Sequence, residues 1–157
     1  MIVWRRRSAP VRSHGCVDDT IRGIIERCVR VLVVRIFKAK AAAKFVRRER
    51  IADASLREAI QRAERGLIDA DLGGGLIKQR VARAGHGRSG GYRMMIAYRI
   101  GDRAVFLLGF AKNERDNVSE TEIAALRKLA LVWLHASAGG IAVAMEEGVL
   151  QEVANDE

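Results

Sequence analysis

Three segments between Leu76 and Phe110 constrain the fold of this 157-residue chain more than any other feature. "LIKQRVAR" (Leu76–Arg83) alternates, sending Lys78 and Arg80 to one side and Ile77 and Val81 to the other. "YRMMIAYRI" (Tyr92–Ile100) reads as a buried strand. "RAVFLLGF" follows after only Gly101 and Asp102, a pair suited to a tight turn. Strands joined by such short connections pair antiparallel, so the three form a meander.

The flanking segments supply the partners such a sheet needs. "RVLVVRIF" (Arg30–Phe37) is rich in β-branched residues and reads as a first strand. "KAKAAAKFVRRER" is a helix whose inner side holds Ala42, Phe45 and Val46. "IADASLREAIQRAERG" is a second helix with a Ser55–Glu58 capping box, a buried stripe of Ile51, Leu56, Ile60 and Ala63, and a stop at Gly66. The two are expected to form a helical hairpin. "LIDADLGGG" reads as a loop. After the meander, Ser119 and Glu122 make a capping box. The helix it opens runs to about Trp133, with Ile123, Leu126, Leu129, Ala130 and Trp133 facing inward. "ASAGG" ends it, and "IAVAMEEGVLQEV" adds a short final helix. The order predicts an α+β fold: a small antiparallel sheet with an N-terminal helical hairpin and a C-terminal helix, the helices on one face and one end.

Residues 34–157 suffice for one domain, and 49% of the whole chain is apolar. Residues 1–33 read as an extension, disordered at its start, or as the product of a start codon placed too early. "RRRSAPVRSHGC" lacks periodicity and holds the chain's one proline, Pro10, while Ile21, Ile24, Ile25, Cys28 and Val29 suit one amphipathic turn or two. "VLVV" is bounded by Arg30 and Arg35, far short of a membrane span, and "MIVWRRRSAP" lacks the apolar stretch of a signal peptide. No membrane partner and a cytoplasmic location are therefore expected. Cys16 and Cys28 lack metal-ligand spacing and read as unpaired thiols.

Charge is distributed in blocks. Residues 1–50 hold fourteen Lys and Arg against four acids, residues 76–115 are also strongly basic, and the intervening and closing stretches are acidic, within a total of +9. Such a directional field suits a polyanionic partner. "LGGGLIKQR" is no phosphate-binding loop, because its glycines precede a strand and no Lys followed by Ser or Thr comes after them. His14, His86 and His135 are scattered, so no metal and no cofactor are expected. Lys78, Arg80, Arg93, Lys112 and Arg115 are different, since neighbouring strands would bring all five to one edge of the sheet. A carboxylate-free cluster of this kind favours a neutral lysine amine through like-charge repulsion, and it stabilises negative charge developing on an attacked phosphate. A solvated basic face is the alternative.

"RIFKAKAAAKFVRRERI", "DADLGGGLIKQRVAR", "GRSGGYRMMIAYR" and "AVFLLGFAKNERDNVSETEIAALRKLA" resemble the RelE/ParE superfamily of bacterial toxins, above all the RelE-like branch that includes the HigB toxins. The resemblance runs from about Val34 to Ala130 and touches the closing "MEEGVLQEV". It implies the toxin of a type II toxin-antitoxin system, held by a cognate antitoxin. RelE-like members cleave mRNA on the ribosome without a metal, the ribose 2′-OH attacking the adjacent phosphate to leave a 2′,3′-cyclic phosphate. By that resemblance Lys78 is the general base, paired with Arg80, and Arg93 stabilises the phosphate. Lys112 and Arg115 supply phosphate contacts or the leaving-group proton, while Arg83 and Arg88 grip RNA; His86 reads as an RNA phosphate contact from its place in the basic loop alone. Several RelE toxins have a tyrosine after the last strand that stacks on the substrate base; here no aromatic residue lies between Phe110 and Trp133. A gyrase inhibitor of the ParE type, a decayed toxin that only binds, and a plain RNA-binding module are the alternatives.

Overall fold

The computed structural model describes residues 34–85, 90–115 and 117–154. The expected extension, its two cysteines, His86 and Arg88 lie outside the described residues. The elements run β1 (Arg35–Ala39), α1 (Lys40–Arg48), α2 (Asp53–Glu64), β2 (Ala70–Asp71), β3 (Leu76–Val81), β4 (Tyr92–Arg99), β5 (Arg103–Ala111), α3 (Glu120–His135), α4 (Ala138–Glu146) and β6 (Leu150–Glu152). They form an α+β arrangement around one six-stranded sheet of order β2-β3-β4-β5-β1-β6.

The meander β3-β4-β5 is antiparallel as the sequence requires, turning through Gly101 at φ +66°. The rest of the sheet departs from expectation in three places. β1 lies parallel to β5, so the sheet is only mostly antiparallel. β2, inside the expected loop, pairs with β3. β6 replaces the end of the expected final helix and pairs antiparallel with β1. The cause of the last is Gly148, whose φ of +71° closes α4 with bonds from Gly148 N to Met145 O and from Val149 N to Ala144 O. α4 itself starts from Ser137, whose hydroxyl accepts from Gly140 N at 3.1 Å, so Gly139 and Gly140 lie inside a helix.

Helices cover both faces of the sheet, not one face and one end. β4 and β5 carry near-continuous apolar runs, which bury side chains on both sides and demand two layers. On one face Phe45, Leu56 and Ile60 of α1 and α2 pack with Ile77, Met94 and Phe106. On the other, Leu134 and Ile141 of α3 and α4 pack with Phe37, Leu76, Met95 and Val105. Each fully buried side chain of this size contributes about 1.5–3 kcal/mol. α1 lies against β5 because Gly109 leaves room for the Phe45 ring; a Cβ there would sit 2.4 Å from a ring carbon and 2.5 Å from Met94 Sδ.

α1 ends with bonds from Arg50 N to Arg47 O and from Ile51 N to Val46 O. This closure puts Arg50 at φ +53°, where glycine is the usual residue. α2 starts at Asp53, two residues before the expected cap Ser55, and its N-cap Ala52 offers no side-chain bond. Its first turn is held instead by Asp53, which accepts from Lys38 Nζ at 2.9 Å. The stripe Ile51, Leu56, Ile60 and Ala63 is buried, and Gly66 stops the helix at φ +79°. α3 has its capping box: Ser119 Oγ accepts from Glu122 N at 3.3 Å, and Glu122 Oε2 accepts from Ser119 N at 2.9 Å. Its inner line is Ile123, Leu126, Ala130 and Leu134, which leaves Leu129 exposed against expectation. No single helix among the described residues is long and apolar enough to cross a membrane; α3 and α4 together are apolar enough but meet at 112°.

Candidate functional site

Strand register assembles the site. Arg80 of β3 lies directly opposite Arg93 of β4, and Lys78 lies opposite Met95. Facing residues have Cβ atoms about 5 Å apart, so the two guanidinium groups start as neighbours. Lys78 and Arg80 are two residues apart on one strand, hence on one face and about 6.6 Å from Cα to Cα. This is the α3 side of the sheet, away from α1 and α2.

Arg93 is the most constrained of the three. One of its Nη atoms is buried without a hydrogen-bond partner among the described residues. Burial, then the facing Arg80 charge, pulls its guanidinium below the ordinary arginine range, while Asp69 acts the other way. A buried donor with no acceptor is costly, and among the described residues Arg62 Nε and Trp133 Nε1 share that state.

Contrary to the expectation from sequence, the cluster is not free of carboxylates. Asp69, in the turn before β2, accepts from the Arg80 backbone N at 2.6 Å and lies 3.6 Å from Arg80 Nε. It is tethered by Gln79, the one fully buried polar residue among those described. Gln79 Oε1 accepts from Asp69 N at 3.1 Å, and Gln79 Nε2 donates to Ala59 O at 2.9 Å and Leu67 O at 3.0 Å. Sequence reasoning missed both residues. A signal for Gln79 exists: in "LIKQRV" it is the polar member of the inward set Ile77, Gln79, Val81.

The remaining expected site residues separate. Lys112 is exposed in the turn after β5, at the end of the sheet where Arg93 pairs with Phe110. Arg115 is engaged elsewhere: it donates through Nε to Asn117 O at 3.0 Å and through Nη2 to Glu122. That ion pair, with the Ser119 cap behind it, holds the Glu122 carboxyl down at about 2. Arg83 is on the opposite face, its guanidinium 5.8 Å from the Tyr92 ring centroid. There it lines a cleft of about 400 Å³ with Arg48, Arg50 and Ile51. Lys78 lines a smaller cleft of about 180 Å³ on the α3 side, walled by Leu72, Met95, Val118 and Ile123, with Asn117 and Glu120 beside them.

Lys78, Arg80 and Arg93 thus form a compact cationic row beside an open cleft. Paired guanidinium groups match a phosphate oxygen edge, and an amine one step along the strand can reach a group attached to that phosphate. A family model described as the RelE toxin of the RelE/RelB toxin-antitoxin system matches residues 34–153. No curated protein matches the chain.

Proposed function

The chain belongs to the RelE toxin family, the toxins of toxin-antitoxin systems with an antitoxin as partner, and on that footing we propose that it is a ribosome-dependent mRNA endonuclease acting without a metal in the cytoplasm. The observation that carries this reading is the facing Arg80–Arg93 pair, one same-face strand step from Lys78. The RNA phosphate sits on Arg93 and Arg80. The amine of Lys78 takes the proton from the ribose 2′-OH, whose oxygen attacks the phosphorus. The new O2′–P bond forms as the P–O5′ bond breaks, leaving a 2′,3′-cyclic phosphate and a 5′-OH. Arg93 steadies the charge that builds on the phosphate oxygens. Lys112, exposed at the same end of the sheet, gives the proton to the departing oxygen. Asp69 holds Arg80 in position through its backbone and its Nε.

Arg115 acts through position, because its guanidinium is committed to Glu122 and Asn117. Arg83 acts away from the reacting phosphate, on the α1 and α2 face. The wording of the segments from Asp69 to Ala130 supports a place in the HigB-like branch, and it supports α1 and α2 as that family's helical pair. Residues 1–33 are an extension before the toxin domain, and His86 and Arg88 are RNA contacts in the connection before β4.

Growth arrest on induction of the full chain, set beside Lys78→Ala and Arg93→Ala, tests this reading. Loss of arrest in both variants, with antitoxin binding and thermal melting retained, is the expected result. Arrest that survives both substitutions and is accompanied by altered plasmid supercoiling would replace it with gyrase inhibition.

A further inference from the structure

We propose that the cleft beside Lys78 seats the nucleobase of the ribose that is cut, and that Glu120 and Asn117 make it select guanine. This rests on the nuclease reading above and adds a specificity site to it.

The cleft, of about 180 Å³, is small and open, and its lining is part apolar and part polar. Leu72, Met95, Val118 and Ile123 give it apolar walls for the flat faces of a ring, and Asn117 and Glu120 add hydrogen-bonding groups. It also stands in the right order along the strand. Lys78 lines the cleft, and Arg80 with its partner Arg93 lies one same-face step further, about 6.6 Å away. A nucleotide laid along this line has its base in the cleft, its ribose over Lys78 and its 3′ phosphate on the arginines. That placement sets the 2′-OH beside the Lys78 amine.

The wall carrying the polar groups is built to hold still. The Asn117 carbonyl accepts from Arg115 Nε, Arg115 pairs with Glu122, and Glu122 closes the capping box with Ser119. These bonds bracket the stretch 117–120 from both sides. They give Arg115 a role as a positioning residue, and they explain how the chain can orient a base with no aromatic residue between Phe110 and Trp133.

Guanine follows from hydrogen-bond chemistry. An ionised carboxylate only accepts. Guanine alone presents two adjacent donors, N1–H and N2–H, that one carboxylate can take together. Adenine and cytosine set an acceptor beside their amino group, and uracil flanks its single imino donor with carbonyls. A carboxylate meeting those edges loses a bond or faces a lone pair, whereas the Asn117 amide can serve guanine O6 as donor.

The test adds the purified full chain to a translating extract with one abundant mRNA and maps new ends by primer extension. Wild type is expected to cut predominantly after guanine. Glu120→Gln should reduce the preference for guanine over the other bases by about tenfold or more, the range of a lost bidentate base contact. Asn117→Ala should reduce it in the same direction. Both residues are exposed, so thermal melting checks that each variant keeps its fold. Wild-type cutting with no base preference at that position, or a site distribution unchanged in Glu120→Gln, overturns the base seat alone. Absence of any wild-type cutting in the translating extract overturns the nuclease reading instead.

Discussion

Replacing Gln79 by leucine removes the tie between the sheet, α2 and the turn that carries Asp69. The side chain is fully buried and makes three hydrogen bonds, to Ala59 O, Leu67 O and Asp69 N. Leucine keeps most of the volume, so the loss is polar rather than a cavity. The Ala59 carbonyl lies inside α2 and keeps its helical acceptor role. The other two groups lose a buried partner at about 1–3 kcal/mol each, and partial access to water in the turn lowers that. The expected total is about 2–4 kcal/mol, or a fall in Tm on the order of 10 °C for a domain of this size. Urea unfolding should show a lower midpoint with an unchanged slope. Amide exchange at Asp69 should quicken at least tenfold, because its N–H bond to Gln79 is gone. A loss under about 1 kcal/mol with Asp69 exchange unchanged would refute the claim that Gln79 holds this turn.

Three further changes test other parts of the structure. Gly109→Ala forces a Cβ into the Phe45 ring and Met94, and should cost about 1–3 kcal/mol in urea unfolding; an unchanged midpoint would mean α1 does not rest on β5 as described. Arg50→Gly relieves a left-handed residue at the end of α1 and should raise stability by up to about 1 kcal/mol, read from thermal melting, with a fall counting against the strain. Glu122 has a folded carboxyl at about 2 against an ordinary 4.5, held down first by Arg115. Its contribution is therefore present above about pH 4.5 and lost as pH falls toward 2. The gap in urea midpoint between wild type and Glu122→Gln should close over that window, and a gap independent of pH would exclude the Arg115 pair as its source.

Local signals are readable in the sequence and long-range ones are not. The Gly101–Asp102 turn, the Ser119 capping box and the Gly66 stop each act within a few residues, and each is where the sequence places it. The parallel seat of β1 beside β5 depends on partners as distant in the chain as Arg35 and Arg103, which no short pattern encodes. β6 is a middle case: Gly148 before the β-branched Val149 is a helix-stop signal that the strongly apolar "IAVAM" run obscures. At the site, period-two alternation puts Lys78 and Arg80 on one side, and register then adds Arg93. Arg115 looks equivalent to these because a sequence does not distinguish a paired arginine from an open one. Its partner Glu122 is visible only as a capping residue. Asp69 carries no pattern of its own; it joins the cluster because the pairing of β2 with β3 and the bond to Gln79 hold its turn against β3.

Primer extension on an abundant mRNA, after induction of the full chain in a bacterium, decides whether the Lys78, Arg80 and Arg93 row cuts mRNA during translation. New 5′ ends inside the reading frame are expected, absent when translation is blocked and absent for Arg93→Ala. Growth arrest with the message intact would show that this row does not cut mRNA.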